Sequence, residues 1–134
     1  MGKEKNRISI LNDYNEYPGP RYANQGDASG EDFYIKVLND AFFNSIKNNR
    51  ILEINLDNTA GYASSFLDEA FGNLVYDFTL SLVKNNISIV SNDEPSWISI
   101  ITEKTFPQWE KRRKNEDSIK HTIDFSRRKT ITDL

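Results

Sequence analysis

No cysteine occurs in the 134 residues, which excludes a disulfide framework, thiolate zinc ligands and a cysteine nucleophile. A cysteine-free chain suits a reducing compartment, so a cytoplasmic protein is expected. Histidine is almost as scarce: His121 stands alone, with no metal-ligand spacing around it. Long apolar runs are missing too. None approaches the roughly 20 residues that span a bilayer, and MGKEKNRISIL lacks the apolar stretch of a secretory signal. There is no Walker A loop, GxGxxG, HExxH or GxSxG elbow, and no EF-hand loop. These gaps point away from an enzyme, a bound cofactor, a metal and a membrane.

What is present suits a folded domain. Hydrophobic residues make up 37% and aromatics 12%, enough for a core in a chain of this length. Net charge is −3, unevenly spread: residues 1–103 hold 8 basic and 15 acidic side chains, residues 104–134 hold 9 and 5. A basic tail on an acidic body binds nucleic acid, binds an acidic partner, or folds back on the body.

RISIL (7–11) alternates as a first strand should, and residues 12–30 read as a long loop or a short hairpin with irregular ends. A helix follows from Ser29 or Gly30 to about Asn48, with Glu31 and Asp32 at the favourable end of its dipole. ILEINLD (51–57) is a strand, Ser65 to about Lys84 a helix, and ISIVS (87–91) a strand. That succession is a βαβ unit with at least two parallel strands. EPSWISIITEK is either a short helix or an edge strand, QWEKRRKNEDSIKH a polar, exposed helix, and HTIDFS a last edge strand. The expectation is one α/β domain over 1–103, with a mixed, mostly parallel sheet under its helices. The basic segment 104–134 is expected to pack on that domain or extend it.

The most specific stretch is GYASSFLDEAFG (61–72). Phe66, Ala70, Leu74, Phe78 and Leu82 recur every four residues, a wide apolar face for lying on a sheet. Ser65, Asp68, Glu69, Gly72 and Tyr76 cluster opposite. Glycine in an exposed helix costs about 1 kcal/mol relative to alanine, so Gly72 requires an explanation. Either another part of this chain crosses there, or a partner docks on Asp68, Glu69, Gly72 and Tyr76. Ser65 followed by Asp68 has the spacing of an N-cap and its N3 partner, which leaves Ser64 free. The same helix end, with free N–H groups, also suits a phosphate on either serine.

The stretches YPGPRY, SGEDFY and INLDNTAGYASSFLDEAFGNLV together resemble the STAS-like domains of unknown function, small bacterial proteins related in pattern to anti-sigma-factor antagonists. The resemblance spans roughly residues 7–101 and is most specific over 61–75. It implies a STAS-like fold and a non-enzymatic regulatory module. It also implies a GHKL-type ATPase or kinase partner that phosphorylates a serine just before the central helix. By position Ser64 is the candidate phosphoacceptor and Ser65 its neighbour. Ala63 stands where antagonists have aspartate, and Phe66 where they have glycine.

Two further stretches carry chemistry. In YPGPRY the prolines stiffen a turn that presents Arg21, whose planar fork suits carboxylate or phosphate. Arg21 either pairs with Asp27 or Glu31 of this chain, or joins the 61–65 turn in an anion- or nucleotide-binding site. Lys111, Arg112, Arg113, Arg127 and Arg128, with Phe106 and Trp109 nearby, are either a solvated face or a nucleic-acid contact.

Overall fold

The computed structural model describes residues 2–134. Its sheet has three strands, β1 (Lys5–Ser9), β2 (Ile51–Asn55) and β3 (Ile87–Val90), all parallel, with β2 in the middle. Alternation along β2 sorts the two faces. Leu52, Ile54 and the following Leu56 are buried beneath the helices. Glu53 points the other way, where Lys5 (3.4 Å) and Arg7 (3.2 Å) pair with it across β1.

The helices fill the crossovers. After a single turn, α1 (Ile10–Asp13), and an irregular loop, α2 (Gly30–Phe33), a π-helical turn (Tyr34–Leu38) and α3 (Asn39–Lys47) run on as one helix into β2. The hydroxyl of Ser29 accepts the Asp32 N–H at its start, the cap expected there. The second crossover is α4 (Ser64–Phe78) followed by α5 (Leu80–Asn86), not one helix to Lys84. Thr79 breaks it: its φ of 78° ends the α4 ladder, and its hydroxyl accepts the Leu82 N–H to start α5. Beyond β3, α6 (Ser96–Ile100), a second π-helical turn (Ile101–Thr105) and α7 (Phe106–Lys114) form another continuous helix. EPSWISIITEK is therefore helical.

Residues 121–126 form no strand, against expectation. Their polar groups are used elsewhere: Thr122 donates from both N–H and hydroxyl to the buried Glu31 carboxylate, and Asp124 accepts the Ser126 N–H. Nor is α7 wholly polar and exposed, since Phe106 and Trp109 are buried. The core centres on α4, whose Phe66, Phe71, Leu74 and Phe78 meet Phe33, Phe42, Leu52 and Ile54. α2 and α4 cross backbone to backbone, and a Cβ on Gly30 would run into the Phe66 carbonyl.

Candidate functional site: the first turn of α4 and its outer face

α4 starts at the C-terminal end of β2, where parallel α/β sheets commonly place their binding residues. Its N-cap is Ala63, which has no side-chain acceptor. The capping role expected of Ser65 is thus corrected: the cap lies two residues earlier, at Ala63, which places Ser64 and Ser65 inside the first turn. Neither hydroxyl has a hydrogen-bond partner among the described residues, and Ser64 is exposed. First-turn N–H groups without a side-chain acceptor leave a partial positive charge at that surface.

Hydrogen bonds tie down the ground around the turn. The Tyr62 hydroxyl donates to the Leu56 carbonyl at 2.6 Å, and burial pushes its pKa up to about 12. Asp57 accepts the N–H groups of Asn92 (2.7 Å) and Asp93 (2.9 Å), fastening the β3–α6 turn to the end of β2. The Glu16 carbonyl accepts the Ala60 N–H at 2.9 Å. That bond brings the neighbouring Tyr17, 66% exposed, beside the turn that leads into α4.

The outer face of α4 is not open. Trp109 lies directly over Gly72, and a Cβ there would overlap the indole. The indole N–H reaches Asp68 at 3.3 Å, and the Tyr76 hydroxyl donates to the Asp117 carbonyl at 2.7 Å. Of the two explanations for Gly72, the chain's own crossing holds. The expected docking set is corrected accordingly: Glu69 and Gly72 are buried, and Asp68 and Tyr76 are engaged by the C-terminal segment.

Arg21 is corrected likewise. Its guanidinium bonds Asp68 (2.7 Å) and Glu69 (3.1 Å), rather than Asp27, Glu31 or open solvent. Two carboxylates on one cation leave no spare positive charge for an anion. Glu69 also accepts from Asn73 (2.8 Å), yet burial still raises its pKa, against the lowering effect of Asn73 and Arg21.

Further bonds hold residues 115–130 to the body. Arg128 pairs with Asp77 (2.9 Å), which also accepts the Tyr34 hydroxyl (2.7 Å). Lys129 and Asn39 exchange two bonds, from the Lys129 N–H (2.8 Å) and to the Lys129 carbonyl (2.9 Å). His121 stacks on Phe125 at 3.7 Å, 3.9 Å from Glu31, and bonds neither serine. The basic residues are partly used up in this way: Arg113 pairs with Glu110, Arg128 with Asp77, and Arg112 lies over the Trp109 ring. Lys111 and Arg127 are exposed with no carboxylate partner among the described residues. Sequence reading missed Glu31, Asn39 and Asp77 as anchor points; buried polar residues inside an apolar helix pattern were the available signal.

A family model described as STAS-like domain of unknown function (DUF4325) matches residues 29–97, more than half of the chain. The chain belongs to this family. The matched region contains α2 through β3 and so includes Ser64 and the whole of α4, while the C-terminal cover over Gly72 lies outside it. No curated protein and no solved structure matches the chain. Among the described residues no His, Asp and Glu cluster is placed to hold a metal ion, and no helix is long and apolar enough to cross a membrane.

Proposed function

We propose that this STAS-like protein is a non-enzymatic regulatory module whose partner contacts the first turn of α4, with Ser64 as a phosphorylation switch. Within a helix whose outer face is otherwise covered, Ser64 alone combines an exposed hydroxyl, no hydrogen-bond partner and an uncapped positive helix end. A phosphate there would meet favourable N–H groups and needs no rearrangement of the core. The exposed Tyr17 at the flank supplies the kind of aromatic anchor that interfaces favour.

The partner suggested by the family resemblance is a GHKL-type ATPase or kinase, which fits an acceptor serine without a catalytic base of its own. The test is the affinity of that ATPase for wild type, Ser64→Ala and Ser64→Asp. A change of about tenfold or more on Ser64→Asp, with Ser64→Ala close to wild type, is expected when a phosphate-like charge controls docking. Equal affinities for all three would refute the switch.

A further inference from the structure

The sheet has two free edges, and they differ in character. β1 carries Lys5 and Arg7, the kind of charge that protects an edge from pairing. β3 reads Ile87-Ser88-Ile89-Val90, with no charge and no proline. The Leu56 N–H bonds the Val90 carbonyl, so Ser88 and Val90 turn their main chain toward β2. Ile89 therefore turns its N–H and C=O outward, and neither has a partner among the described residues.

Beside this edge lies a cavity of about 380 Å³, walled by Leu80, Ile87, Ile89, Ile98 and Phe106, with Lys84 its single charged lining residue. A free main-chain edge over an apolar groove fits an incoming strand better than a small solute, because only a strand satisfies both. The charges on the two ends of β3 identify that strand. Lys84 precedes β3, and Asp93 and Glu94 follow it; all three are exposed and none is in an ion pair among the described residues. An antiparallel pairing of β3 with itself sets each basic end against the other's acidic end. A parallel pairing would align like charges.

We propose that β3 pairs antiparallel with β3 of a second copy of this chain, joining two sheets into one of six strands about a two-fold axis. With Ile87 opposite Ile89 of the second copy, the isoleucines of both copies share one face and close the two grooves against each other. The inference is independent of the Ser64 switch.

Sedimentation equilibrium on the full chain, with amide exchange of residues 87–90 read at each concentration, tests it. A concentration-dependent dimer is expected, with the Ile89 amide protected only in the dimer. Ile89→Lys should abolish it. Because that variant also disturbs the groove, charge reversal at exposed positions supplies a second test. Lys84→Glu alone should weaken the dimer about fivefold at low salt, and adding Asp93→Lys and Glu94→Lys should restore it. A monomer at every concentration would overturn the proposal. So would a dimer in which the Ile89 amide exchanges freely, or one indifferent to both charge changes.

Discussion

Replacing Gly72 with alanine separates an open helix face from a covered one by the sign of the effect. In an open helix Gly72→Ala stabilises by about 1 kcal/mol, because alanine loses less backbone freedom on folding. Here the added methyl would overlap three indole atoms of Trp109, a side chain only 1% exposed and tied to Asp68. Forcing a methyl into such packing costs about 1–3 kcal/mol, and a buried ring held by a hydrogen bond has little room to yield. The net expectation is a loss of about 1 kcal/mol or more, a fall in Tm of roughly 3–5 °C for a chain of this size. Urea denaturation of four proteins closes the cycle. Trp109→Ala alone should cost about 3–5 kcal/mol, and in that background Gly72→Ala should become stabilising. The coupling between the two sites is then about 2 kcal/mol. A Gly72→Ala protein more stable than wild type with Trp109 intact would refute the covered face.

Further outcomes follow from the same contacts. Ser64→Ala and Ser65→Ala should each change stability by no more than about 0.5 kcal/mol, since neither hydroxyl caps the helix; a loss of about 1 kcal/mol would restore the capping role. Arg128→Ala leaves Asp77 buried with only Tyr34 donating to it, and should cost about 2 kcal/mol by denaturation. Burial first, and Arg128 second, hold the pKa of His121 below its ordinary 6.5. The unfolded chain therefore takes that proton first, and stability is full above 6.5 and falls as the pH drops through it. His121→Phe should flatten that slope in a pH series of melting curves. Tyr17→Ala should weaken partner binding while leaving Tm unchanged, because the ring is 66% exposed.

The parts of this fold legible in the sequence are those written in local periodicity. ILEIN and ISIV show β-rich runs, and the four-residue recurrence from Phe66 to Phe78 marks the helix between them. The break at Thr79 was hidden, because a threonine with positive φ leaves no compositional mark and the apolar spacing continues through Leu82. The cap of α4 lies at Ala63 rather than Ser65, a position no sequence rule marks, because alanine has no side-chain acceptor and the two serines that follow offer the expected cap chemistry without using it. Gly72 signalled a close approach correctly, but not which element approaches, since Trp109 is distant in sequence and sits in a helix that reads as polar. Arg21 was likewise recognisable as a paired or anion-binding group, while its true partners, Asp68 and Glu69, depend on how the loop folds back over α4. A loop's long-range pairing is a property of the tertiary fold, and no spacing rule encodes it.

The proposed switch acts through Ser64. The most direct measurement is the mass of the Ser64 peptide after tagged protein is incubated with ATP in its native lysate and recovered with its bound partners. A phosphate on Ser64, lost in Ser64→Ala together with the effect of ATP on ATPase binding, is the predicted result. An ATPase that binds equally well with Ser64 unmodified, with or without ATP, would contradict the account.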